Sequence, residues 1–282
     1  FHIGHQAVIG RAIAWAKAEG RPVYVATFDP HPVRHFAPLA PPFRLTSVDQ
    51  RQELFAEAGV DGMLVFNFNA ELAAVTAEEF VADWLVARGG IAGVVTGEDF
   101  TFGKGRGGSV SFLKDHGPAI GLRSEAVGPV CDDEGPISSS RIRQALHAGD
   151  CATANRLLTR PCTVRAPVLH GDKLGRTIGF PTANIWMSGY VRPRYGIYAV
   201  KGRLPDGRVL HGAANMGIRP TFDPPKELLE PHFFDFAEDL YGQVIDVEFH
   251  HFLRGEEKYD SLDALTAQIA KDCAAAKALL AV

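Results

Sequence analysis

The chain has 282 residues, and at about 150 residues per domain this length points to two domains. Its 46% hydrophobic and 22% charged residues exclude intrinsic disorder, collagen-like repeats and low-complexity scaffolds. A formal net charge of -4 excludes a global positive field for nucleic acid or anionic lipid, so any polyanion must be met locally.

From Gln6 to Ala18, Val8, Ile9, Ala12, Ile13 and Ala16 recur at helical spacing, and Glu19-Gly20 ends the run. The apolar stretch from Pro22 to Phe28 predicts a strand buried on both faces, closed by Asp29-Pro30-His31-Pro32. Thr46 can cap a helix through Ala58, and Met63 to Phe68 predicts a second strand. Thr76 to Glu79 is a capping box opening a helix to Arg88, and Ile91 to Thr96 predicts a third strand. Strands alternating with helices imply a parallel sheet whose ligands bind at the carboxyl ends of the strands. That places chemistry in the loops after Phe28 and Thr96.

Beyond Leu158 the texture changes. Val164 to Leu169, Gly196 to Leu204, Arg208 to Met216, His232 to Phe236 and Val244 to Phe252 read as strands separated by turns such as Pro205-Asp206-Gly207. This half is expected to be an antiparallel barrel or sandwich, finished by an amphipathic helix from about Leu262 with Ser261 as its cap. The boundary falls near Leu158 to Arg160, giving domains 1–158 and 159–282. Cys131, Cys151, Cys162 and Cys273 have no C-x-x-C spacing, which fits a reducing cytoplasm rather than a zinc cage or disulfide scaffold. No run approaches the about 18 apolar residues of a spanning helix. The chain opens on Phe1 directly into a motif-like segment, so its natural N-terminus is expected to lie upstream.

His2-Ile3-Gly4-His5 precedes the first helix, where the i, i+3 spacing lets two imidazoles share a face near a helix N-terminus that favours phosphate. Read alone, it fits two uninvolved histidines equally well. Gly97 to Gly108 is a glycine-rich loop carrying Lys104 and Arg106. Its G-x-G-x-x-G at Gly103, Gly105 and Gly108 lies too far past the strand for a dinucleotide fingerprint, and the loop lacks Walker A spacing. Ile137-Ser138-Ser139-Ser140-Arg141-Ile142-Arg143 offers hydroxyls that cap a helix and arginines on its first turns, a geometry suited to a triphosphate. An ordinary capped helix with solvated arginines would look similar.

Taken in order, H-x-G-H, Thr27 to Pro32 (T-F-D-P-H-P), G-E-D-F-x-F-G and I-S-S-S-R-I-R resemble the flavin mononucleotide (FMN) adenylyltransferase module of prokaryotic bifunctional riboflavin kinase/FAD synthetases. The resemblance implies a Rossmann-like nucleotidylyltransferase domain in which the FMN phosphate attacks the α-phosphorus of ATP in line, releasing pyrophosphate. Such chemistry needs no protein nucleophile, only orientation and charge stabilisation. By the same resemblance His2 and His5 contact ATP phosphates with His31 assisting, and Ser139, Arg141 and Arg143 hold the leaving pyrophosphate. Gly97, Asp99, Phe100 and Phe102 line the adenine and FMN pockets. Two features depart from the family: Ser140 stands where a Thr is usual, and the G-x-F-D-G strand and turn that precede H-x-G-H are absent.

In the second half Gly171, Gly175 and Gly179 surround Lys173 and Arg176, and the run ends in Phe180-Pro181-Thr182-Ala183-Asn184. Backbone amides in such a loop can wrap phosphates, and the Thr182 hydroxyl and Asn184 amide oxygen are hard ligands for Mg2+. The string resembles the riboflavin kinase signature without a gap. The runs Gly196 to Ala199, Asn215 to Phe222, Glu230 to Phe236 and Phe252 to Arg254 follow in family order. The resemblance implies that Glu230 is the general base for the riboflavin 5'-hydroxyl, that Asn215 belongs to the binding site and that Arg254 lies near the flavin. Pro231 predicts that its strand begins there or lies at an edge. Asp246, Glu248, His250 and His251 read as the wet face of a strand rather than as a metal site.

The expected activity is conversion of riboflavin to FMN and then to FAD with ATP and Mg2+, on small-molecule substrates, without nucleic acid or membrane partners. Oligomeric state is not legible. The alternatives are a kinase with an inactive adenylyltransferase half and a flavin-binding sensor without turnover.

Overall fold

The computed structural model describes residues 1–171, 174–219 and 226–282. They form two units, one of residues 1–40 and 48–137, the other of residues 41–47 and 138–282.

In the first unit Tyr24–Phe28 pairs in parallel with Gly62–Phe66, and Gly93–Gly97 pairs in parallel with Arg123–Val127. Helices lie between the strands of each pair, which is the crossover arrangement expected of a parallel α/β domain. Phe55, Val60 and Ile9 cover Val25 and Met63 on one face, but Tyr24 on the other is 48% exposed. The Pro22 to Phe28 run is therefore not buried on both faces. The first helix spans Ile3–Ala18, starting three residues earlier than its apolar spacing suggests, because His2 caps it. The Arg123–Val127 strand had no apolar signal: Arg123 pairs with Glu19, and Glu125 with Arg11.

In the second unit six antiparallel strands close into a barrel. Around the ring stand Asn184–Trp186, Lys226–Phe233, Val209–Arg219, Gly196–Arg203, Val244–Arg254 and Cys162–Leu169. Ile185, Tyr198, Val200, Met216, Leu229, Val247 and Phe249 fill its interior and are wholly buried. Alternate residues therefore face outward. On that outer surface Ala199 and Ala213 are small enough to let the helix Leu262–Leu280 press its Cys273, Ala276 and Leu280 onto the sheet.

Two expectations about this half change. The strand containing Glu230 begins at Lys226, within the described residues, and lies between Asn184–Trp186 and Val209–Arg219, so it is not an edge. Pro231 is tolerated because its carbonyl already turns toward Ala183 (2.9 Å), where the neighbouring strand has not yet begun. The N–H it lacks would point to that same side. Glu248 is not a wet strand residue. It is 7% exposed, held by Arg203 Nε at 2.7 Å and His250 Nε2 at 3.1 Å. Asp246 is likewise gripped by Arg165 through two bonds of 2.7 Å.

Burial alone would raise the Glu248 pKa, but the hydrogen bonds from His250 and Arg203, with their charges, bring it below the ordinary value of 4.5. A carboxyl whose folded pKa is depressed contributes stability above its unfolded pKa and loses it as pH falls through the folded one. Glu248→Gln should thus lower the melting temperature at neutral pH, and the gap between variant and parent should close as the pH drops below 4.5. A gap independent of pH would show that the ion pair is not its source.

Candidate active sites

In the first unit the chain meets its first helix through two imidazoles. His2 Nδ1 accepts from the Gly4 N–H at 3.1 Å, and His5 Nδ1 accepts from the His2 N–H at 3.4 Å, a reciprocal capping box. The rings lie 3.9 Å apart. Because a backbone N–H can only donate, neither Nδ1 carries a proton, and in each neutral ring Nε2 holds the N–H. Desolvation, and then the neighbouring His2, lower the His5 pKa, so the neutral form prevails at physiological pH. Gly4 leaves room for this packing: a Cβ there would sit 3.0 Å from His2 Cε1 and 3.2 Å from the Ile137 carbonyl oxygen. The expectation that both histidines ride on one helical face is thus modified. His2 is the cap and His5 the third helical residue.

His31 caps the short helix Pro32–Phe36 by accepting from the Val33 N–H at 3.2 Å. Gly97 ends the third parallel strand, and a Cβ on it would approach Asp99 Oδ1 to 3.0 Å. Phe100 and Phe102 stack at 5.5 Å, with Phe102 in the core against Phe80, Val81 and Leu113. The glycine-rich loop that follows is a pinched hairpin. Thr101–Phe102 pairs with Gly108–Ser109 around the single turn Lys104–Arg106, which is not the strand-to-helix turn of a dinucleotide fingerprint.

Ser139, Arg141 and Arg143 lie on the helix Ser139–Ala148, which belongs to the second unit. Ser138 supplies the cap, accepting from the Arg141 N–H at 3.3 Å, which leaves the Ser139 and Ser140 hydroxyls out of that role. Arg143 is half-buried: its Nε donates to the Phe43 carbonyl at 2.7 Å, and burial lowers its pKa from the usual arginine value.

The barrel assembles a second set of groups. Asn215 stands opposite Glu230 in the strand register, and the register of Ile185 with Leu229, carried one residue further, sets Asn184 opposite Glu230 on its other side. Ile197 pairs with Asn215 and with Arg254, extending the row. All lie on the outer surface, because Ile185, Leu229 and Met216 point inward. Directly opposed residues on an antiparallel sheet have Cβ atoms about 4.5–5.5 Å apart. Asn184, Glu230 and Asn215 thus form one polar line across three strands. Thr182 is two residues from Asn184 in extended chain and falls on the same side. The Asn215 Oδ1 atom is covered and has no hydrogen-bond partner among the described residues.

The loop before this line folds back on it. Phe180 donates its N–H to the Gly175 carbonyl at 2.8 Å, closing the turn Leu174–Thr177. A Cβ on Gly175 would lie 2.3 Å from the Phe180 oxygen and 3.6 Å from Thr182 Oγ1, and one on Gly171 would strike the Asn184 amide at 2.3 Å. Gly171 is therefore set by close approach to Asn184 of the line, and Gly175 by the backbone of Phe180. Arg176 and Gly179 are exposed on the loop, while Asp172 and Lys173, like Pro220, Thr221 and Phe222, lie outside the described residues. Arg254 is engaged by Asp272 of the C-terminal helix through bonds of 2.9 and 2.7 Å, and Gln268 donates to the same carboxylate at 3.0 Å. The family resemblance implies a place for Arg254 near the flavin; its bidentate pairing with Asp272 is a feature of the fold.

The described residues hold no cluster of three or more His, Cys, Asp or Glu side chains suited to a metal. The hydroxyl and amide oxygens of Thr182 and Asn184 are instead the sparse hard donors with which Mg2+ is commonly held beside nucleotide phosphates. No helix among the described residues is long and apolar enough to cross a membrane.

A capped imidazole pair at the head of a parallel α/β unit, and a barrel with a glycine-rich loop folded against a polar line that carries one carboxylate, suit a nucleotidyltransferase joined to a small-molecule kinase. Comparison with known proteins gives the family. The FAD synthetase model matches residues 1–141 and the riboflavin kinase model residues 158–280. Bifunctional riboflavin kinase/FMN adenylyltransferases are 39% identical in Haemophilus influenzae, over 98% of this chain and 90% of that protein, and 41% identical in Pseudomonas fluorescens, over 99% and 90%. A crystal structure described as a macrolide-efflux protein from Streptococcus pneumoniae superposes with a TM-score of 0.85 at 32% identity, over 96% of this chain and 88% of that one. The chain belongs to the bifunctional riboflavin kinase/FMN adenylyltransferase family. It is an enzyme with both activities, acting on ATP and flavins, and the kinase-only and sensor alternatives are not favoured.

Proposed function

We propose that the outer line of the barrel is the riboflavin kinase site, with Thr182 Oγ1 and Asn184 Oδ1 holding Mg2+ and Glu230 acting as general base. The observation that carries this reading is the placement of Glu230 directly between Asn184 and Asn215 in the strand register. Bound there with ATP, Mg2+ would neutralise charge on the β- and γ-phosphates. Glu230 takes the proton of the riboflavin 5'-hydroxyl as its oxygen bonds to the γ-phosphorus, and ADP leaves. The Asn215 Oδ1 atom can accept a hydrogen bond donated by a hydroxyl of the flavin's polyol. Gly171, Gly175, Arg176, Gly179, Phe180 and Pro181 form the flap over the nucleotide, and Arg254, fixed by Asp272, borders the flavin. In Asn184→Leu the Mg2+ concentration giving half-maximal riboflavin phosphorylation should rise at least about tenfold, measured by flavin chromatography across an Mg2+ series. An unchanged Mg2+ dependence would remove Asn184 from the metal site.

For FMN adenylylation, the neutral rings of His2 and His5 present Nε2–H donors to ATP phosphates, assisted by His31. Gly97, Asp99, Phe100 and Phe102 are assigned to the adenine and FMN pockets, and Ser139, Arg141 and Arg143 to neutralising pyrophosphate. The FMN phosphate oxygen bonds to the α-phosphorus as pyrophosphate departs, with no protein nucleophile. The two activities are assigned to residues 1–158 and 159–282, in keeping with the spans matched by the two family models. Four cysteines, none in a disulfide, support a cytoplasmic location.

A further inference from the structure

The segment bearing Thr182 is tied to the strand bearing Glu230 at two points. One is the backbone bond from Ala183 N–H to the Pro231 carbonyl at 2.9 Å. The other uses a side chain outside the line described above: His232 Nδ1 lies 2.8 Å from the Pro181 carbonyl oxygen. A carbonyl only accepts, so Nδ1 carries the proton and donates. The ring is wedged edge-on between Phe180, at 5.3 Å, and Phe234, at 6.1 Å, which fixes its plane.

We propose that His232 is a positioning residue of the kinase site, holding the Thr182 hydroxyl at its place beside Glu230. This rests on the reading that Thr182 and Asn184 bind the metal. The proline ring fixes φ of Pro181 near about -65°, and the bond from His232 pins the carbonyl that defines its ψ. The peptide plane leading into Thr182 is thereby set on both sides. His232 also stands two residues from Glu230 on the same strand face, so one strand sets both the base and the hydroxyl ligand. A partner that orients a metal ligand from behind typically contributes about 10- to 100-fold to metal affinity or activity.

The test compares His232→Leu, which removes the donor, with His232→Asn, whose amide nitrogen takes the place of Nδ1, and His232→Gln, whose amide nitrogen takes the place of Nε2. In His232→Leu the half-saturating Mg2+ concentration for riboflavin phosphorylation should rise about tenfold or more, and Mg·ADP binding measured by calorimetry without riboflavin should weaken in parallel. Riboflavin affinity, read from flavin fluorescence without nucleotide, should stay within about twofold, since no flavin contact is removed. His232→Asn should recover most of the loss and His232→Gln should not; this contrast survives even if the leucine variant fails to fold. The nitrogen spectrum of the unaltered chain should show His232 protonated at Nδ1. Equal behaviour of the Asn and Gln variants, an unprotonated Nδ1, or parental Mg·ADP binding in His232→Leu would each overturn the proposal. If Asn184→Leu also leaves the Mg2+ dependence unaltered, the metal reading itself fails. If only His232→Leu does, the positioning role alone falls.

Discussion

In Glu230→Gln, riboflavin phosphorylation should fall by about 100- to 10,000-fold, the range by which a positioned general base accelerates proton transfer. Conversion of supplied FMN to FAD should be unchanged. Glutamine keeps the volume of the side chain between Asn184 and Asn215 and can still hydrogen-bond, so the strand line survives. It cannot take the proton from the 5'-hydroxyl. Separating riboflavin, FMN and FAD chromatographically after incubation with ATP and Mg2+ reads both steps in one preparation. Loss of both steps in a folded chain would mean that the barrel line is not confined to the kinase reaction, and retention of the first would remove Glu230 from the role of base.

The reciprocal change is His5→Ala. FAD formation should drop by about 100- to 1000-fold, the cost of one well-placed donor to charge developing in a transition state, with FMN formation intact. His5 Nδ1 is occupied by the His2 N–H, so the ring's only proton is at Nε2, and alanine removes it. The same substitution removes the return bond of the capping box, while His2 remains as the cap. Undiminished kinase activity in that preparation separates the chemical effect from unfolding. A fall in kinase activity equal to the fall in FAD formation would attribute both to instability.

Much of this was legible in the sequence because it depends on local chemistry. The Gly171 to Asn184 string carries its close approaches in its glycines, and the helix caps at Thr76 and Ser261 stand where their residue types predict. What could not be read depends on closure of the barrel. Pro231 looks like an edge residue until a neighbour is found on each side of its strand. Glu248 alternates like a solvent-facing carboxylate until Arg203 and His250 close over it. The line of Asn184, Glu230 and Asn215 joins residues up to 46 positions apart through registers that no single segment encodes. The Arg123–Val127 strand can be polar because its charges are answered by Arg11 of the first helix and Glu19 just past its end. The bond from His232 to Pro181 links residues 51 positions apart and has no signal in either segment alone.

In the proposed reaction sequence the flavin receives first the γ-phosphorus of one ATP and then the α-phosphorus of a second. Incubating the chain with riboflavin, Mg2+ and ATP labelled at either the γ- or the α-phosphate tests this directly. Among the flavins, the γ-label should appear in FMN and be carried into FAD, and the α-label should appear only in FAD; the ADP left by the first step also keeps the α-label. An FMN pool without γ-label, or α-label in FMN, would contradict it.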